Sequence, residues 1–92
     1  IMCSNDALAV GAIMRARDMG INVPDDISIT GFDDIDVAEI VTPSLTTVHV
    51  PHRRMGQAAA ELLLSIRAGK TDQKSIKLET RVVLRHSLQT KK

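Results

Sequence analysis

An α/β fold, with a mainly parallel sheet and flanking helices, is what this chain predicts. Short β-branched runs at residues 27–30 and 45–50 alternate with stretches of helical periodicity at residues 6–19 and 52–68. Each strand feeds a helix, and successive strands joined by a crossover helix run parallel. The 92 residues suffice for one small domain, and 43% hydrophobic with 25% charged residues is a globular balance.

Residues 1–3 are short and apolar, and Ser4, Asn5 and Asp6 follow as a cluster of helix-capping residues. The helix runs from about residue 6 to 19, where Gly20 can take the left-handed position and Pro24 forbids resumption. Leu8, Ala12, Ala16 and Met19 fall on one face, while Val10, Ile13 and Met14 fall on another. Such a helix needs two partners: its own sheet, and either a neighbouring helix or another subunit. Pro24-Asp25-Asp26 is turn chemistry that leads into the second strand, residues 27–30.

That strand meets Gly31, whose missing Cβ allows a tight or positive-φ exit, and then Asp33 and Asp34. In an open parallel sheet the carboxyl ends of the strands face the crevice where ligands bind. The two carboxylates then stand at a crevice rim, suited to a polyhydroxylated or amine-bearing ligand. A structural reading competes, chiefly for Asp34, as N-cap of the short segment 35–40.

Thr42-Pro43 closes that segment, and 45–50 is extended. Pro51 opens the second long helix, where its missing amide hydrogen costs nothing. Met55, Ala59, Leu62 and Ile66 form its apolar stripe, broadened by Ala58 and Leu63, with Gln57, Glu61 and Ser65 facing outward. After Gly69, residues 70–75 read as a loop, 76–78 and 80–86 as strands with Val82, Val83 and Leu84 in the core, and 87–92 as a frayed tail.

The composition excludes several functions. A net charge of +1 with mixed signs gives no basic face for nucleic acid, and Phe32, the sole aromatic residue, offers no stacking platform. The lone Cys3 forms no intrachain disulfide, and neither a secretory signal nor a membrane span is present, which points to the cytoplasm. His49, His52 and His86 have no metal-ligand spacing with Cys3, so no metal or other cofactor is expected. With no phosphate loop and no nucleophile elbow, an enzyme is not expected either. Arg53 and Arg54 open the second helix against its dipole, as solvated surface residues or as a contact to another domain. Because the chain opens inside an apparent strand, it reads as the end of something longer.

Five motifs together resemble the lactose/galactose repressor family of bacterial transcription regulators. These are Cys3-Ser4-Asn5-Asp6 with Ala9 and Gly11; Gly20 to Ser28; Gly31-Phe32-Asp33-Asp34-Ile35; Thr42-Pro43 with Leu45-Thr46-Thr47-Val48; and Met55-Gly56. The resemblance implies a periplasmic-binding-protein-like (type I) core of two lobes joined by three crossovers, with a small-molecule effector in the cleft. Residues 1–48 and 80–92 would belong to the C-terminal lobe, and 49–79 would cross to the N-terminal lobe. The helix-turn-helix headpiece, the only part expected to meet operator DNA, would lie outside this chain.

By the same resemblance, Asn5 and Asp33 hydrogen-bond the effector, often a sugar or nucleoside-like molecule. Val10, Ile13, Met14 and Arg17, with Val37, Ile40 and Val41, match a surface that forms a homodimer or higher homo-oligomer. Val50 departs from the family, since many relatives carry Gln there. A second reading is the same fold used as a sugar-binding protein for transport; upstream residues separate the two, a helix-turn-helix marking the regulator and a signal peptide the transporter.

Overall fold

The computed structural model describes residues 1–69 and 75–90. Its elements are α1 (Asp6–Asp18), α2 (Val37–Ile40), β1 (Thr47–His49), α3 (His52–Arg67) and β2 (Arg81–Val83). They fall into two compact units, one of Ile1–Val50 with Arg81–Lys92 and one of Pro51–Thr80.

In the first unit, α1 begins because Asn5 is extended and its Oδ1 accepts a hydrogen bond from the Leu8 amide at 2.9 Å. Asp6 in the first turn and Arg15 and Arg17 in the last complement the helix dipole. The helix ends one residue earlier than its periodicity predicts, with Met19 as its cap and Gly20 left-handed at φ +74°. Its buried face also differs from expectation. Ala9, Ile13 and Ala16 are buried, while Leu8, Met14 and Met19 are exposed. Spaced four and three residues apart, the buried side chains form one stripe, and Ala9 and Ile13 pack on Ile29, Ala38 and Leu45. Burial of each large member of that core contributes roughly 1.5 to 3 kcal/mol.

Among the described residues the expected parallel sheet is present only in rudiment. Parallel pairing appears only as isolated bridges, Met2 with Thr30, Thr30 with Thr46 and Asp33 with His49. The one ladder among the described residues is antiparallel: β1 pairs with β2, Thr47 opposite Val83 and His49 opposite Arg81.

Four further expectations give way. Residues 76–78 form no strand, and the strand expected over 80–86 is paired only over Arg81–Val83. Val82 and Leu84 are exposed instead of lying in the core, because the ladder is only two strands wide. Ser87 is fully buried, not frayed: its Oγ donates to the Ile29 carbonyl at 2.5 Å and accepts from the Thr46 amide at 2.9 Å.

In the second unit, α3 follows Pro51 as expected, yet none of its residues is buried. Met55, Ala58, Ala59 and Leu62 line a shallow apolar groove with Ile76 and Leu78. Gln57 and Glu61 are exposed, whereas Ser65 is half-buried, and Gly69 takes φ +82° after the helix. Residues 70–74 of the expected loop, and 91–92 of the expected tail, lie outside the described residues. Among the described residues no helix is long and apolar enough to cross a membrane.

Candidate functional site

Two chain segments converge at the candidate site. The backbone rises from Ile1 to Cys3 beside Thr30, with Thr30 N bonded to Ile1 O at 2.9 Å and Cys3 N to Thr30 O at 2.8 Å. One step further, the Asp6 amide donates to the Phe32 carbonyl at 3.0 Å. The start of α1, where Asn5 lies, is thereby fastened to the turn that carries Asp33. Capping uses the Asn5 Oδ1, and its Nδ2 is a further donor of the same side chain.

Asp33 is half-buried, and its amide donates to the Val48 carbonyl at 3.0 Å. The left-handed conformation expected of Gly31 falls instead on Asp33 (φ +114°) and Asp34 (φ +58°). Aspartate tolerates this region better than most residues because its short side chain can bond locally. Gly31 is required for a different reason: a Cβ there would collide with Asp6 Oδ1 and stand 3.0 Å from Leu45 Cδ2.

Asp34 is not a helix cap. The residue preceding α2 is Asp36, which makes no side-chain capping bond. Asp34 is instead gripped through both carboxylate oxygens, Oδ1 by Arg85 Nη2 at 2.8 Å and Oδ2 by His49 Nδ1 at 2.9 Å. Partial burial pushes its carboxyl upward, but the bonds and charges of Arg85 and then His49 outweigh that and hold it below its ordinary value.

Beneath this turn lies a polar support that the sequence reading overlooked. Asp6 is fully buried; its Oδ1 accepts from Thr47 Oγ1 at 2.6 Å and its Oδ2 from the Ile35 amide at 2.8 Å. Arg85 also donates through Nη1 to the Leu45 carbonyl at 3.0 Å, and its amide donates to Thr46 Oγ1 at 2.9 Å. The signals were present: an aspartate directly before an apolar helix, and an arginine closing an apolar run. Neither signal names its partner, since Asp6 and Thr47 lie 41 residues apart and Asp34 and Arg85 lie 51 apart.

The residues matched to a dimer surface are divided. Met14 and Ile40 are exposed, and Val10, Val37 and Val41 are half-buried. Arg17 is exposed and donates to the Thr42 carbonyl at 2.5 Å, tying α1 to the segment after α2. Ile13 is corrected: at 1% exposure it belongs to the chain's own core and offers nothing to a partner. Arg53 and Arg54 are both exposed in the second unit. Among the described residues no group of three or more His, Cys, Asp or Glu side chains could hold a metal ion.

Comparison with known proteins places the chain in a class. Residues 1–88 match the model of the periplasmic binding protein-like domain. The chain belongs to the LacI/GalR family of transcriptional regulators, in the part that carries this domain. The HTH-type transcriptional repressor PurR of Vibrio parahaemolyticus is 39% identical over 89 residues, covering 96% of this chain and 27% of the relative. PurR of Proteus mirabilis is 44% identical over 89 residues, covering 96% of this chain and 26% of the relative. The chain thus spans about a quarter of the length of these relatives.

Solved structures agree. The lac repressor dimer bound to operator and the anti-inducer ONPF superposes with a TM-score of 0.87 at 29% identity, over 97% of this chain and 31% of that one. A LacI family regulator from Enterococcus faecium with bound ribose gives a TM-score of 0.86 at 35% identity, over 95% and 33%.

Proposed function

We propose that this chain is the effector-binding and dimerising portion of a cytoplasmic bacterial transcriptional repressor that senses a sugar or nucleoside-like molecule. Asp33 and Asn5 bind the effector; operator DNA is met only through a separate headpiece. In this reading residues 1–48 and 80–92 belong to one lobe, and residues 49–79 cross to the other. Val10, Met14, Arg17, Val37, Ile40 and Val41 form the surface that meets a second copy.

The observation that carries the reading is the fastening of the Asn5 segment to the Asp33 turn through Asp6 N and Phe32 O. It gathers a carboxylate acceptor and an amide donor at neighbouring segment ends, the combination that hydroxyl-rich ligands require. The ribose-bound relative supports a sugar as the ligand class. Since the chain's own charge is near neutral, affinity for DNA is assigned elsewhere.

A thermal-shift screen of the full-length protein against monosaccharides and nucleosides tests this. A ligand at about one hundred times its Kd stabilises the folded state by about 2.7 kcal/mol, a readable rise in Tm. At least one compound is expected to give it. A screen in which every sugar and nucleoside leaves Tm unchanged, while operator binding is intact, contradicts the reading.

A further inference from the structure

Two consecutive non-glycine residues, Asp33 and Asp34, hold positive φ values of 114° and 58°. Such backbone persists only where its surroundings over-determine it. Four attachments do so here, one of them the bond from the Asp33 amide to the Val48 carbonyl. Before the pair, Phe32 O is held by the Asp6 amide; after it, the Ile35 amide is held by Asp6 Oδ2. Between them the Asp34 side chain is held by Arg85 and His49.

Arg85 is the strongest of these restraints on the pair itself. Its guanidinium side chain is only 14% exposed and the Asp34 side chain 13%, so their 2.8 Å contact is poorly screened. It is also anchored from behind, with Nη1 on the Leu45 carbonyl while Nη2 takes Asp34. The planar fork serves both acceptors at once, which a lysine's compact ammonium on a flexible stem does not reproduce. Glu39, at 3.6 Å from the same nitrogen, is largely exposed and lends little.

We infer that Arg85 is a positioning residue: acting through Asp34, it fixes the left-handed turn that sets Asp33 at the ligand site. The inference rests on the proposed role of Asp33 in effector binding, and it adds a residue 52 positions away in sequence to the determinants of that site. Arg85 itself does not touch the ligand in this account. Without it, Asp34 keeps a charge in a largely buried place with His49 as its remaining side-chain partner, and the turn relaxes. Asparagine at position 34 tolerates the left-handed region without a charge to be compensated.

The test is amide hydrogen exchange measured by NMR on the full-length protein. It compares the Asp33 amide, bonded to Val48 O, with the Ile21 amide, bonded to Ala16 O at the far end of α1. Arg85→Met is expected to speed exchange at Asp33 at least tenfold and at Ile21 less than threefold. Adding Asp34→Asn to Arg85→Met is expected to return Asp33 to within threefold of wild type. Equal acceleration at both amides, unchanged exchange at Asp33, or no rescue by Asp34→Asn overturns the inference. Calorimetric titration of Asp33→Ala with D-ribose and with inosine separates the two levels: unchanged affinity there removes the role of Asp33 in binding, whereas the exchange results bear on the positioning alone.

Discussion

Thr47 Oγ1 donates to Asp6 Oδ1 at 2.6 Å inside the first unit, joining the start of α1 to the start of β1 where neither side chain meets solvent. The other oxygen of Asp6 holds the Ile35 amide, so one carboxylate braces the turn from beneath. Asp6→Ala leaves the Thr47 hydroxyl and the Ile35 amide without this acceptor. The Thr47 hydroxyl is buried, and a buried donor left unpaired costs about 1 to 3 kcal/mol. Urea unfolding is expected to show a loss in that range or above it. A loss under about 0.5 kcal/mol, the usual range of an inconsequential surface change, contradicts the brace.

Gly31→Ala is expected to destabilise through crowding, since the added Cβ meets Asp6 Oδ1 and stands 3.2 Å from Asp6 Cα. Overpacking of this kind costs roughly 1 to 3 kcal/mol. The shift in denaturation midpoint measures it, and a variant as stable as wild type shows that the Asp6 side chain can move aside.

Asp34 gives a pH dependence with a definite sign. Its folded carboxyl titrates below the ordinary value of 3.8, so its contribution is complete above that pH and is lost as pH falls through the lowered value. Asp34→Asn removes the titration. Wild type is therefore expected to exceed the variant in stability near neutral pH, and the gap to close only below pH 3.8. Unfolding free energies measured in urea across that range give the answer; a gap independent of pH sinks the assignment.

The two apolar residues Ile13 and Ile40 separate packing from association. Ile40 is 77% exposed and Ile13 is 1% exposed. Ile40→Asp should weaken self-association with little change in Tm, whereas Ile13→Asp should unfold the core, because an unpaired charge is forced into it. Sedimentation together with thermal melts distinguishes these outcomes. An Ile40→Asp variant that associates as tightly as wild type removes α2 from the proposed interface.

Much of the architecture is legible in the sequence because local chemistry determines it. Asn5, Gly20, Pro51 and Gly69 mark the helix ends within a residue or two, since capping and left-handed exits depend on single side chains. A turn after the second strand is recognisable for the same reason, but its left-handed residues are Asp33 and Asp34 and not Gly31. Burial was less legible. Ala9, a small residue omitted from both apolar faces, packs completely, while Leu8 and Met19 stay exposed, because facing surfaces and not periodicity select the buried stripe. Ser87 reads as tail by composition, yet its hydroxyl and amide close hydrogen bonds to Ile29, Thr46 and Ser44, which are more than 40 residues away. The carboxylate grips on Asp34 and around Asp6 are long-range pairings of the same kind. Polar residue types are visible one by one, and their partners only in the fold.

The central claim is that Asp33 and Asn5 hold the effector. Isothermal titration of the effector found by the thermal-shift screen into full-length wild type, Asp33→Ala and Asn5→Ala tests it most directly, with operator affinity measured in parallel without effector. A hydrogen bond to a charged group contributes about 1.5 to 3 kcal/mol, so Asp33→Ala should weaken effector binding by roughly one to two decades. Asn5→Ala should also lower affinity, by a smaller factor, and operator affinity should hold in both variants because a ligand acts only through its differential affinity for the two states. Effector affinity equal to wild type in both variants would contradict the account.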